Sequence, residues 1–108
     1  MPESKGWMYI GTPQRYVQIN ISMPTEQSTE FGLFRRDVEK ALEDSVRGPF
    51  PDIENHVGEG HWRGGLERSV HISTVADVDV YALRVKLREL KTKYNQDAIA
   101  LIVGSDLI

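Results

Sequence analysis

Between Gly58 and Ser69 the chain reads GEGHWRGGLERS, which brings a tryptophan, two arginines, a histidine and two glutamates into one glycine-rich stretch. Trp62 offers a flat apolar surface on which a base or sugar can stack, and Arg63 and Arg68 offer forked donors suited to phosphate or carboxylate. The glycines permit close approach of the backbone to such a ligand. These are the ingredients of a site for a small anionic ligand. The competing reading is structural: Trp62 covers one end of the core, and Gly64-Gly65 supplies the positive φ values of a two-residue hairpin turn.

Other chemistries fit the same region less well. GEGHWRGG resembles a dinucleotide fingerprint only superficially, because its glycines precede a strand and no helix N-terminus stands behind them to bind phosphate. His56, His61 and His71 have Asp52, Glu54, Glu59 and Glu67 near in sequence. They form no H-x-x-x-H or H-E-x-x-H pair, and His56 and His61 have opposite parity on a regular strand, so neither metal nor cofactor is expected. The absence of cysteine excludes disulfides, thiolate metal sites and cysteine nucleophiles. His71 between Ser69 and Ser73 invites a general-base role. A small hydrolase using His71 or His61 with Glu67 is therefore one functional alternative, although no Gly-x-Ser-x-Gly elbow accompanies it.

Elements must position these residues. YVQINISM, from Tyr16 to Met23, alternates strictly, with Val17, Ile19, Ile21 and Met23 on one side and Tyr16, Gln18, Asn20 and Ser22 on the other. After cap candidates Ser28 and Thr29, Phe31, Phe34, Val38, Leu42 and Val46 recur at helical steps, predicting a helix that ends near Arg47, before Gly48 and Pro49. The segment from Ile53 to Arg63 alternates weakly but can pair with LERSVHISTV through the Gly64-Gly65 turn. There Val70, Ile72 and Thr74 face inward and Glu67, Ser69, His71 and Ser73 outward. Asp77 or Asp79 caps a second helix with the stripe Val80, Leu83, Leu87, Leu90 and Tyr94, which Asn95 and Gln96 break. AIALIVG is a strand expected to be buried on both sides or to lie between neighbours, with SDLI as a tail able to add to an edge.

The order β-α-β-β-α-β most simply builds an α+β, ferredoxin-like sandwich: a four-stranded antiparallel sheet with both helices on one face. A chain of 108 residues suits one such domain over 16–108, preceded by an N-terminal segment, 1–15, in which GWMYIG is a candidate extra strand or flap. The outward residues of the two central strands, Gln18 and Asn20 beside Glu67, Ser69 and His71, then share one polar surface. It is either a solvated face or the floor of a ligand site.

The charged and apolar content is that of a globular domain, and no apolar run approaches the ~20 residues that span a bilayer. With no signal-peptide pattern at the start, a cytoplasmic location is expected, without membrane contact. A net charge of -3 provides no general field for nucleic acid. The cations Arg35, Arg36 and Lys40 are interspersed with acids, so nucleic-acid binding is not expected.

GHWRGGLERSVHI and KYNQDAIALIVG together resemble small, uncharacterised α+β proteins of phages and bacteria, in which a G-x-W/Y-x-G-x-x-E-x-S hairpin precedes a helix ending in an aromatic-x-Gln-acid/Ser-x-Ile step. The resemblance covers about the second half of the chain. It implies a ferredoxin-like fold, a homo-oligomer and a phage accessory role in the host cytoplasm, and it singles out Trp62, Arg63, Glu67, Ser69 and Gln96. Independently of it, Glu67 and Ser69 share a strand face, and Gln96 precedes the last strand, so all three are expected at one end of the sheet.

The expectation is thus a non-enzymatic binding protein that captures a small anionic ligand, a nucleotide as leading class, at a subunit boundary. The alternatives are a protein-interaction module acting on a host or virion protein and the small hydrolase already named. Exposure of Phe50, Ile53 or Trp62 would favour the interaction module.

Overall fold

A computed structural model describes residues 14–24, 28–49, 51–62 and 65–106, giving the backbone alone for residues 28, 61, 62, 105 and 106. The expected N-terminal strand, Phe50 and the end of the C-terminal tail lie outside the described residues. The elements in chain order are β1 (Arg15–Pro24), α1 (Ser28–Asp44), β2 (Val46–Arg47), β3 (Glu54–Trp62), β4 (Gly65–Val78), α2 (Val80–Lys93) and β5 (Ala100–Asp106).

All strand pairings are antiparallel. β1 lies between β4 and β5, while β3 runs along β4 from residue 65 to 73 and β2 pairs β4 at residues 77 and 78. The chain therefore forms an α+β fold of ferredoxin-like character, with two helices and a five-stranded sheet among the described residues. The fifth strand departs from the four expected. It arises where the first helix was expected to continue: α1 stops at Asp44, and Ser45 turns the chain, its Oγ donating to the Ala41 carbonyl at 2.8 Å. Val46, assigned by spacing to the helix, instead pairs with Val78, which suits a β-branched side chain. Gly48 then takes a positive φ of 93°, as glycine readily does.

The alternation of β1 decides which side of the sheet is covered. Val17, Ile19 and Met23 are fully buried, as are Val70 and Ile72, and they pack in one cluster with Phe34, Val38 and Leu42 of α1 and Leu83 of α2. Both helices thus lie against the same face. Burying a side chain of this kind contributes roughly 1.5–3 kcal/mol. Of the two expected caps, Asp77 and Asp79, it is Asp79 that caps α2, accepting from the Ala82 N–H at 3.0 Å, and Tyr94 ends the helix before Asn95, whose φ is +53°.

The helices are joined by more than apolar contact. Tyr94 packs on Phe34 with ring centroids 4.8 Å apart, and its hydroxyl donates to Asp37 Oδ2 at 2.6 Å. Lys93 Nζ donates to the same carboxylate oxygen at 3.0 Å. The Tyr94 hydrogen bond is the main reason that Asp37 is held below its ordinary carboxylate value, against a burial effect of opposite sign and with help from Lys93. Burial, and then Asp37, raise Tyr94, and the Asp37 hydrogen bond raises Lys93.

The signs give a stability profile. Asp37, depressed in the fold, stabilises it above its unfolded value, and that contribution is lost as pH falls through the folded value below 3.8. Tyr94 and Lys93, both raised, contribute below their unfolded values and lose that contribution as pH rises through the folded ones, above 10.0 and 10.5. Tyr94→Phe should therefore cost about 1 kcal/mol near neutral pH, a hydrogen bond to a charge discounted for partial exposure. Urea unfolding across pH should show this difference shrinking at both the acidic and alkaline ends.

Candidate functional site

The pairing of β1 with β4 places the expected outward residues in register. Gln18 faces Ser73, Asn20 faces His71 and Ser22 faces Ser69. The next strand extends these rows, since Glu54 pairs with Ser73, His56 with His71 and Gly58 with Ser69. On the other side of β1, Ile102 pairs with Gln18 and Ala100 with Asn20. Strand periodicity then puts Ala100, Asn20, His71 and His56 in one row across four strands on the face away from the helices.

The polar residues of β1 are already bonded to one another along the strand. The Tyr16 hydroxyl donates to Gln18 Oε1, and Gln18 Nε2 donates to Asn20 Oδ1 at 2.8 Å. This chain fixes the two amides. Each retains unused donor or acceptor capacity toward anything lying on the sheet. His71 is exposed, while His56, also exposed, lies with its Nε2 3.4 Å from Glu54 Oε1. Beside them Tyr16, Asp52, Glu54, Ser73, Thr74 and Val75 line a groove of about 280 Å³. Thr74 donates to the Asp52 carbonyl at 2.7 Å, anchoring the chain that leads into β3.

β3 and the facing half of β4 form a hairpin arm. Every β3 residue from Glu54 to Gly60 is exposed. Gly58 and Gly60 stand opposite Ser69 and Glu67, so this part of the floor carries little side-chain bulk. A Cβ added at Gly58 would meet Ser69 Oγ at 3.5 Å, an ordinary contact, and one at Gly60 would meet nothing. Backbone sterics therefore do not demand glycine at either position.

The structure brings Gln18, Asn20, Ser69 and His71 onto one face with Glu67 at its end. It separates others from them. Arg68 pairs with Met23 and Glu59, has the parity of Val70 and Ile72, and so lies on the opposite side, where it lines a groove with Phe31, Arg35, Val57 and Glu59. Gln96 donates to the Tyr94 carbonyl at 2.9 Å. It makes no hydrogen bond to Glu67 or Ser69 among the described residues. The side chains of His61 and Trp62, and all of Arg63, lie outside the described residues.

Glu67 and His71 share a face, but four strand steps separate them by about 13 Å. No hydrogen bond joins them among the described residues, and none positions His71 against a serine. Nor do any described residues form a group of three or more acids and histidines placed to hold a metal ion. No described helix is long and apolar enough to cross a membrane.

A second cluster was missed in the sequence. Arg84, Arg88 and Lys91 recur at steps of four and three along α2, beside Leu87, Ala98, Ile99 and Leu101, in a groove of about 360 Å³. The spacing alone put the three cations on one helical face.

No family model matches the chain, and no curated protein does. Among solved structures, a DUF3240 family protein from Shewanella baltica is similar with TM-score 0.51 and 14% identity, covering 91% of this chain and 93% of that one. A de novo designed protein, Foldit4, gives TM-score 0.49 at 19% identity, covering 87% and 99%. CutA from Synechococcus elongatus gives 0.40 at 16%, covering 89% and 79%. At these identities the first likeness shows a shared α+β fold.

Because Gly58 has room for a methyl group, Gly58→Ala should stabilise the protein by about 0.5–1 kcal/mol, the ordinary gain of replacing a strand glycine. Denaturant midpoints of the two proteins measure it.

Proposed function

We propose that this protein is a non-enzymatic binding protein that takes a small anionic ligand, a nucleotide as leading class, on the sheet face away from the helices, at a boundary with a second copy. The observation that carries this reading is the bonded row Tyr16–Gln18–Asn20 set beside His71 and His56. It is a strip of hydrogen-bonded amides beside two exposed imidazoles, next to a floor kept low by Gly58 and Gly60. Amides held by neighbours lose little conformational freedom when a ligand's ring edge hydrogen-bonds to them. Glycines that sterics do not require leave room for a flat group to lie against the backbone.

The described part of this face is shallow and open, and small-molecule sites bury most of their ligand. A second subunit laid over the arm supplies the missing wall. Trp62 and Arg63 are assigned the stacking surface and the phosphate contact. Arg68, on the opposite side, is not part of this site within one subunit.

Exposure of Val57 (61%) and Leu66 (42%) on the arm favours a second reading, a protein-interaction module. Ile53 does not add to it, being half-buried against the core. No observation favours the hydrolase.

A thermal-shift series with mono-, di-, tri- and cyclic nucleotides tests the proposal. Ligand at a hundred times its Kd should stabilise the fold by about 2.7 kcal/mol. Asn20→Ala, His71→Ala, Trp62→Ala and Arg63→Ala should each reduce the shift, and Gly58→Ala should reduce it while raising the ligand-free midpoint. No shift with any nucleotide contradicts the reading.

A further inference from the structure

The groove between α2 and β5 combines three features that the proposed ligand face does not use. Arg84, Arg88 and Lys91 line it, and none of them forms an ion pair with a described carboxylate. Elsewhere on the described surface, Arg35, Lys40, Arg47 and Lys93 each lie near an acid, while Arg36, Arg68 and Lys86, like the groove's cations, form no such pair, so what marks the groove is that three cations share it. The floor is apolar, made by Leu87, Ala98, Ile99 and Leu101. Finally, β5 bonds to β1 on one side, and among the described residues no strand lies along its other side.

Each feature selects for something in its occupant. An open strand edge presents a row of N–H and C=O groups that an extended chain satisfies and a compact ligand does not. Three unpaired cations call for negative charge. The apolar floor suits the methylene stems of glutamates that reach the cations, and Ile102, 46% exposed on the other face of the same strand, calls for apolar side chains there. The spacing agrees. Arg84 and Arg88 are separated by about 6 Å along the helix axis, and side chains two apart on an added strand by about 7 Å. Successive carboxylates on one face of an added strand therefore match successive arginines.

We propose that this groove docks an extended acidic segment of a partner protein, which adds a strand to β5, directs its acidic side chains toward Arg84, Arg88 and Lys91, and lays the alternate apolar ones beside Ile102. Charge complementarity and a β5 edge that no described strand covers choose this occupant over an oligonucleotide. A phosphate backbone would use the cations but leave both the strand edge and the exposed Ile102 unmatched.

Fluorescence anisotropy with a labelled peptide of alternating glutamate and valine, on the full chain, tests the assignment. Saturable binding is expected, weakened about tenfold or more by Arg84→Glu with Arg88→Glu, and weakened by added salt. These positions are exposed, and circular dichroism of the variant confirms that it remains folded. Methylating alternate backbone nitrogens of the peptide removes the donors that strand pairing needs and should abolish binding. Absence of binding, equal binding of the methylated peptide, or equal or tighter binding of an oligothymidylate would each overturn the proposal. So would peptide binding only by a form in which β5 of one copy is freed from another, measured as a change in mass on binding.

Discussion

The candidate ligand face is positioned by one constraint: β1 and β4 bury alternate residues in a shared register. Ile19 lies opposite Ile72 and Asn20 opposite His71. A slip of one residue would carry Ile19 and Ile21 into water and bury Gln18 and Asn20 without adequate partners, and both changes are costly. The apolar residues drawn to the helices thus dictate which polar residues are turned away from them.

This constraint also explains why the candidate site contains fewer residues than the sequence suggested. GEGHWRGGLERS looks like one cluster when read along the chain. On the sheet, adjacent residues point to opposite faces, so Glu67 and Ser69 stay with His71 while Arg68 goes to the other side. Proximity in sequence was a poor guide, and parity a good one. The histidines show the same effect, because His56 and His71, fifteen positions apart, become cross-strand neighbours through the hairpin.

The legible parts were those with a strong buried face. β1 announced itself by alternation, and α2 by its stripe and the Asp79 cap. β3 gave a weak pattern because its residues from Glu54 to Gly60 are all exposed, and a strand with no buried face has no reason to alternate. The end of α1 was misplaced because Val46 falls at a helical step as well as in a strand. Its pairing with Val78 is a tertiary contact that no local pattern encodes. AIALIVG, expected between neighbours or buried on both sides, became β5 at the sheet margin among the described residues, with Ala100 and Ile102 exposed. Its apolar character stands out at an edge and is the kind of surface that edge strands usually avoid.

The chain contains no cysteine, so single cysteines report on individual positions without background. Thiol labelling under native conditions at positions 18, 19, 20, 71 and 72, one variant at a time, measures the face assignment most directly. The account expects cysteines replacing Gln18, Asn20 and His71 to react quickly, and those replacing Ile19 and Ile72 to react only as the protein unfolds. The opposite pattern, fast at 19 and 72 and protected at 18, 20 and 71, would contradict it.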